Sequence, residues 1–94
     1  MATKSATRQV VVANPAGLHA RPSLAITSAV RRHQSKVQIH NGSQEVDAAE
    51  ILQLLSLGAQ AGTELVLTAQ GPDADEVLDE LVKLFNTQFG LHYD

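Results

Sequence analysis

Residues 7–33 read TRQVVVANPAGLHARPSLAITSAVRRH and place strand, loop and helix patterns in direct succession. Residues 7–13 are rich in β-branched side chains, which favour an extended strand. Residues 14–17 (NPAG) interrupt that strand, because proline and glycine are typical of turns. Residues 20–33 have the apolar spacing of a helix, with Pro22 in the first turn, where its missing N–H does no harm. The expected apolar face of this helix comprises Ile26, Ala29, Val30 and His33.

A hairpin and a further strand are predicted downstream. Residues 36–40 alternate, and Asn41-Gly42 is a strong hairpin signal because both residues tolerate positive φ. Residues 44–46 form the returning strand. The last strand is predicted over residues 62–70 (GTELVLTAQ), which alternate between apolar and polar side chains.

Two more helices are predicted, and each begins with a capping-box pattern. Asp47 would be the N-cap of a short helix that ends at Gly58, with Glu50 as its reciprocal partner three residues on. Asp73 and Glu76 would form the same arrangement at the start of the last helix. The apolar stripe of this last helix, which ends near Gly90, comprises Val77, Leu78, Leu81, Leu84 and Phe85.

The predicted order of elements is β-α-β-β-α-β-α. Alternating strands leave one face of the sheet in water, so the helices have to cover the other face. This predicts a two-layer α+β fold with a split β-α-β arrangement and antiparallel pairing. A length of 94 residues suits one hydrophobic core, so we expect a single domain over residues 1–94.

Charge is distributed unevenly along the chain. Residues 1–44 hold six basic residues and no acid, whereas residues 45–94 hold ten acids and one base. The halves therefore carry +6 and −9, which sums to the net charge of −3. A basic patch built from the first half would attract phosphate or an acidic partner. The alternative is a solvated surface with charges at helix ends.

Composition argues against several classes of protein. The absence of cysteine excludes a disulfide framework and a thiolate metal site, and it suits a reducing compartment. We expect a cytoplasmic protein without membrane insertion, because the chain lacks a signal-peptide pattern and any apolar run of about 20 residues. Two Phe, one Tyr and no Trp disfavour nucleic-acid binding. His19, His33 and His40 lack the spacing of metal ligands, so neither a metal nor another cofactor is expected.

Residues 17–22 (GLHARP) carry the candidate chemistry, where the first loop meets the first helix. Free backbone N–H groups at a helix N-terminus bind anions, and the helix dipole assists. His19 would cap the helix, and Arg21 would hold phosphate oxygens in a fork. Because Gly17 lets the backbone turn and approach closely, we predict a phosphate site formed by Gly17, Ala20 and Arg21.

His19 is the candidate nucleophile of this motif. Arg21 and the helix dipole both disfavour a charged imidazole, so we expect His19 to be largely neutral near neutral pH. A neutral imidazole can accept a phosphoryl group. The six-residue motif favours this interpretation over one in which His19 only caps the helix and Arg21 is solvated.

The motif resembles the active-site signature of a known family, the histidine-containing phosphocarrier protein (HPr) of the bacterial phosphoenolpyruvate-dependent phosphotransferase system. The likeness extends to Asn41-Gly42, which looks like the family hairpin, and to residues 51–58 (ILQLLSLG), which look like its second helix. Residues 62–71 look like its last strand. The resemblance implies an open-faced β-sandwich, in which a four-stranded antiparallel sheet is covered on one face by three helices.

The resemblance also implies a function. His19 would receive a phosphoryl group on Nδ1 from Enzyme I and pass it to a histidine of an EIIA-type domain, with Arg21 steadying the phosphate. The protein would be a stoichiometric carrier rather than a stand-alone enzyme, and a monomer suffices for this role.

Partner docking is expected on the first two helices. Helical spacing places Leu24 opposite the buried stripe, one turn from His19. The short helix has more leucines than one face can bury, so Ile51, Leu52 and Leu55 would be left outside the core. The resemblance joins these four side chains into one docking surface; the alternative is that some pack under a loop.

Three positions depart from the family pattern or extend it. Many relatives carry a phosphorylatable serine where this chain has Glu50. Glu50 could be a capping-box residue, a permanent partial mimic of phosphoserine, or a sign that serine regulation is absent. Ala16 lacks the polar side chain of several relatives, and Asn14 could compensate. The tail extends a little past the usual family end, and His92 within it is expected to be a surface residue.

Two other functions compete with the carrier role. A hydrolase of small phosphates would need a general base, and the first 44 residues contain no acid. A regulatory binding protein of the same fold, including one from the nitrogen-related branch of the system, is the main alternative. Intact His19 and Arg21 argue against the loss of phosphoryl transfer.

Overall fold

The computed structural model describes residues 4–90, so the end of the tail, with His92, lies outside the described residues. The strands are β1 (Ser5–Val11), β2 (Lys36–Asn41), β3 (Gln44–Asp47) and β4 (Glu64–Gln70). The helices are α1 (Ala20–Arg31), α2 (Ile51–Ser56) and α3 (Ala74–Asn86), followed by a short 3-10 turn, Gln88–Gly90. Within residues 4–90, no helix has the length and apolar character needed to cross a membrane.

The four strands form one antiparallel sheet in the order β1-β4-β2-β3. The last strand, β4, lies between β1 and β2, so that Gln70 is opposite Ser5 on one side and Lys36 on the other. β2 and β3 form the predicted hairpin, with Asn41 opposite Gln44. Because β4 joins strands from the start and middle of the chain, the sheet cannot be completed until most of the chain is present.

The hydrophobic core lies between one face of the sheet and the helices. Alternate strand residues are buried there, as the period-two pattern predicts: Val37, Ile39, Val46, Leu65, Leu67 and Ala69. α1 buries Ile26, Ala29 and Val30 of its predicted stripe, and α3 buries Val77, Leu78, Leu81 and Phe85. The other two predicted members differ, because Leu84 is only partly buried and His33 lies beyond the end of α1. The expected α+β open-faced β-sandwich with four antiparallel strands and three helices is therefore confirmed.

Element boundaries differ from prediction where the chain makes tertiary contacts. β1 begins at Ser5 because its pairing with β4 starts there, and it ends before the predicted residue 13. α1 ends at Arg31, so His33 follows the helix rather than completing its stripe. α3 ends at Asn86, because the next turn contains Phe89 at φ 60°, which no helix accommodates.

Both predicted capping boxes are wrong, because the carboxylates have other partners. Glu50 is itself the N-cap of α2 and makes no side-chain cap hydrogen bond. Asp47 instead accepts the Ala49 N–H at 2.9 Å, which forms a turn before the helix. Asp73 is the N-cap of α3, but its carboxylate accepts hydrogen bonds from outside the helix, including one from the Gln34 N–H at 3.0 Å.

Candidate functional site

A tight turn leads from β1 to the candidate nucleophile. The Gly17 N–H donates to the Asn14 carbonyl at 2.9 Å, which closes a four-residue turn with Pro15 at its second position, where proline is favoured. Gly17 has φ 76°, and a Cβ at this position would lie 2.5 Å from the Ala59 carbonyl oxygen. Glycine is therefore required twice here, once for the left-handed backbone and once for the close approach to Ala59.

The backbone after the turn is fixed to the segment between α2 and β4. The Leu18 N–H donates to the Ala59 carbonyl at 2.9 Å, and the Leu18 side chain is buried in the core. The same segment is held from the other side, because the Gly62 N–H donates to the Val12 carbonyl at 2.7 Å. The loop that carries His19 is thus hydrogen-bonded to the connection between α2 and β4, which is itself hydrogen-bonded to the residue after β1.

His19 is the N-cap residue of α1, as predicted, with an exposed side chain. Its carbonyl accepts the Ser23 N–H at 3.1 Å, so the helix begins directly after it. Among residues 4–90, the His19 ring and the N–H groups of Ala20 and Arg21 have no hydrogen-bond partner. An exposed imidazole therefore stands beside two backbone donors at a helix N-terminus, which is the arrangement that binds an anion.

Arg21 is the arginine available to a ligand. The other three arginines pair with acids of the second half of the chain: Arg8 with Asp75 and Asp79, Arg31 with Glu50, and Arg32 with Glu80. Arg21 is exposed and makes no ion pair within residues 4–90. The basic patch suggested by the charge asymmetry is thereby reduced, and Arg21 remains next to His19.

Three loop residues predicted or considered for phosphate contact have other environments. The Gly17 N–H is already bonded to Asn14, so Gly17 shapes the turn without offering a free N–H. Ala16 is exposed and supplies no polar side chain. Asn14 is completely buried, and its Nδ2 donates to the Gln88 carbonyl at 3.2 Å. Asn14 therefore does not replace the missing polar side chain at Ala16.

The four predicted docking residues are distributed over two adjacent helices. Leu24 of α1 and Leu52 of α2 are 58% and 78% exposed, and Leu55 is 39% exposed. Ile51 is half-buried. Leu54 is buried in the core, as expected from helical spacing. α1 and α2 contact each other, so these exposed apolar side chains lie on neighbouring helices.

Glu50 lies at the junction of these two helices. Arg31 donates from Nη2 to the Ala49 carbonyl at 2.8 Å and from Nε at 3.0 Å. Glu50 Oε2 is 3.9 Å from Arg31 Nη2. The end of α1 is thus tied to the start of α2, and the Glu50 carboxylate is partly balanced by Arg31.

A second histidine cluster was not predicted from the sequence. His33 Nδ1 lies 3.0 Å from Asp73 Oδ2, and His33 Nε2 lies 2.8 Å from Glu80 Oε1. The hydrogen bond with Glu80, followed by that with Asp73, raises the pKa of His33 above its usual range. The Ser35 hydroxyl and then the Gln34 N–H lower the pKa of Asp73 to about 2.

This cluster joins the α1–β2 and β4–α3 connections and has a structural role. Its residues are about 40 positions apart, so no local motif could have revealed it. Residues 4–90 contain no group of three or more side chains placed to hold a metal ion.

Comparisons with known proteins match both the fold and the motif. A family model described as the PTS HPr component phosphorylation site matches residues 6–87. The chain is 35% identical over 82 residues to phosphocarrier protein HPr of Treponema pallidum, covering 87% of this chain and 93% of that protein. It is 33% identical over 82 residues to phosphocarrier protein NPr of Shewanella violacea, covering 87% and 90%. The crystal structure of HPr-C-His from Thermoanaerobacter tengcongensis has a TM-score of 0.89 at 28% identity, covering 94% and 99%.

Proposed function

Because the chain belongs to the HPr family of phosphocarrier proteins of the phosphotransferase system, we propose that His19 carries a phosphoryl group from Enzyme I to an EIIA-type domain. Proteins of this family work with Enzyme I and EIIA-type components in general. The finer assignment to His19, and to one acceptor class, is our proposal for this chain. A cytoplasmic location and a monomeric state belong to the same proposal.

The proposed chemistry consists of two bond exchanges, one when His19 receives the phosphoryl group and one when His19 passes it on. In the proposed transfer, a lone pair on His19 Nδ1 attacks the phosphorus carried by phosphorylated Enzyme I; a P–N bond forms at His19 as the bond between phosphorus and the donor group of Enzyme I breaks. In the second exchange His19 is the donor: a P–N bond forms at the acceptor histidine as the P–N bond at His19 breaks. The phosphoryl oxygens carry the charge, so catalysis depends on positioning and on nearby donors.

One observation supports this role best: exposed His19 adjoins two backbone N–H groups and an arginine that have no partner within residues 4–90. The N–H groups of Ala20 and Arg21 would bind phosphoryl oxygens, and the Arg21 guanidinium would neutralise them. Exposure of the site suits a carrier, which has to present the same atom to two proteins in turn. A hydrolase would need a general base, and within residues 4–90 no carboxylate is bonded to His19.

The docking surface in this proposal consists of Leu24, Ile51, Leu52 and Leu55. Apolar side chains on adjacent helices form a patch that a partner can bury without unfolding the carrier. Glu50 lies at the start of α2 beside this patch. It places a permanent negative charge where many relatives have serine, and Arg31 offsets part of that charge.

A regulatory function is the second candidate. Among the relatives, the Treponema protein is named HPr and the Shewanella protein is named NPr, at similar identities. The two names belong to phosphocarriers of different branches, so the comparison favours neither sugar uptake nor the nitrogen-related branch. Transfer from this chain to purified EIIA domains of each class separates the two.

The test of the carrier role is intact-mass spectrometry after incubation with phosphoenolpyruvate and Enzyme I. We expect one added phosphate on the wild-type chain, which is lost in mild acid, and none on His19→Ala. Folding of the variant is checked by circular dichroism, and the Enzyme I preparation is checked on its own carrier. A folded wild-type chain that gains no phosphate from an active Enzyme I rules out the carrier role for that donor.

A further inference from the structure

The residue that begins the active-site turn also contacts the C-terminal turn. Asn14 is completely buried, and its carbonyl accepts the Gly17 N–H that closes the turn before His19. Its side-chain Nδ2 donates to the Gln88 carbonyl at 3.2 Å, across a separation of 74 residues. One side chain therefore connects the active-site turn to the end of the described chain.

The C-terminal turn has a strained backbone. Gln88 and Phe89 have φ values of 52° and 60°, a region that residues with a Cβ rarely adopt. Two such residues in succession persist only where the surrounding structure holds them, and conformations of this kind cluster at functional sites.

Contacts with α3, with α1 and with Asn14 hold this turn. Phe89 is 9% exposed, and its ring meets that of Phe85 edge-on with centroids 4.9 Å apart. The turn also packs against α1, the helix that begins at His19. The hydrogen bond from Asn14 then joins the carbonyl of a strained residue to the active-site turn.

We propose that Asn14 and the backbone of Gln88 position His19 for phosphoryl transfer. The inference rests on the carrier function proposed above. The side chains of His19 and Arg21 have no partner within residues 4–90, so the loop backbone sets their positions. A displacement of about 1 Å at a reacting group can cost about 100-fold in rate. Asn14 acts here as a positioning residue, because its buried side chain ties the active-site turn to the Gln88 carbonyl without contacting the transferred group.

The test uses three variants and the phosphorylation rate from charged Enzyme I. Asn14→Ala removes the donor, and Gln88→Pro fixes φ near −65°, which moves the acceptor carbonyl. Gln88→Gly is the matched control, because glycine adopts φ 52° without strain. We expect Asn14→Ala and Gln88→Pro to lower kcat by about 10-fold with little change in KM for Enzyme I. Gln88→Gly should retain the wild-type rate.

A double variant and an activity-independent measurement complete the test. Asn14→Ala/Gln88→Pro should lose no more than the more affected of the two single variants, because both remove the contact between Asn14 and the Gln88 carbonyl. Amide hydrogen exchange at Gly17 and Leu18 should accelerate by about 10-fold in both single variants, because the turn opens more often. Gln88→Gly should exchange like the wild type.

These readouts separate the inference from the function on which it rests. Unchanged exchange at Gly17 in Asn14→Ala and Gln88→Pro would overturn the positioning role, whether or not the chain accepts phosphate. Faster exchange with an unchanged kcat would also overturn it, because the loss of order in the turn would then have no effect on transfer. A wild-type chain that accepts no phosphate would contradict the carrier role alone.

Discussion

At the scale of single residues, His19 and Arg21 differ from most other charged or titratable side chains because they have no partner within residues 4–90. Most charged side chains near the helices have partners, such as Arg31 with Glu50 and Arg32 with Glu80. A side chain that makes no structural contact contributes little to the free energy of unfolding, so it can be devoted to binding. Stability and activity should therefore separate cleanly between arginines of this chain.

We expect Arg21→Ala to lower the rate of phosphoryl transfer by about 100-fold, because in the proposed role Arg21 donates to the transferring phosphoryl group. Arg21→Lys keeps the charge but loses the fork, and we expect a loss of about 10-fold. The melting temperature should not change in either variant. Arg8→Ala is the matched control: it breaks contacts with Asp75 and Asp79, so it should lower the melting temperature and leave the rate unchanged.

The transfer rate is measured by rapid-quench sampling with charged Enzyme I, and the melting temperature by circular dichroism. A large loss of stability in Arg21→Ala would show that Arg21 has a structural role, contrary to its exposed position.

The sequence predicted the position of His19, because the signals that place it are local. The motif at residues 17–22 placed His19 at a helix N-terminus, and the structure has it there. The contact between Asn14 and Gln88 could not be predicted, because it joins residues 74 positions apart. A positive φ at Gln88 has no signature either, since glutamine is not a residue that favours this conformation.

At the scale of elements, hydrophobic periodicity together with turn and capping signals located the four strands and α1 to α3, whereas the helix ends were less predictable. A capping box needs its carboxylate to be free for the backbone, and Asp73 is held instead by the α1–β2 connection. In α2, the leucine-rich sequence supplies apolar side chains both to the core and to the surface. Its six residues bury Leu54 and expose Leu52, so one short helix serves both the core and the surface.

Leu52 and Leu54 make a matched pair for testing the docking surface. Leu54→Ala should destabilise the fold by about 2–5 kcal/mol, because the side chain is completely buried. Leu52→Ala should leave stability unchanged and raise KM for Enzyme I by about 10-fold, equivalent to about 1.4 kcal/mol of binding.

Steady-state kinetics and urea denaturation distinguish the two effects in this pair. A Leu52→Ala variant with normal KM for both Enzyme I and the EIIA-type acceptor would remove Leu52 from the docking surface. A destabilised Leu52→Ala variant would instead mean that Leu52 packs against the core.

At the scale of the whole molecule, the fold brings the basic first half of the sequence against the acidic second half. Arg8 and Arg32 pair with carboxylates of α3, and His33 contacts Asp73 and Glu80 at the start and middle of the same helix. Within residues 4–90, three of the six basic residues of the first half, Arg8, Arg31 and Arg32, thus pair with acids of the second half. Sequence alone could not decide between this and a basic surface, because charge pairing depends on which elements become neighbours.

The His33 cluster predicts how global stability depends on pH. The pKa of His33 is raised above 6.5, so its contribution is complete below pH 6.5 and is lost as the pH rises through the raised value. The pKa of Asp73 is lowered from 3.8 to about 2, so its contribution is complete above pH 3.8 and is lost as the pH falls towards 2. The free energy of unfolding, measured with urea, should be highest between these limits.

His33→Gln tests whether His33 causes the expected fall in the free energy of unfolding as the pH rises above 6.5. Glutamine can still donate to one carboxylate but cannot be charged, so the variant should be less stable than the wild type at pH 5. The difference should shrink as the pH rises above 6.5, because the wild-type imidazole then loses the charge that glutamine never had. A constant difference across this range would mean that His33 contributes only through packing and neutral hydrogen bonds. A shrinking difference would mean that one protonated ring binds the α1–β2 connection to α3, at a distance from the imidazole proposed to accept phosphate.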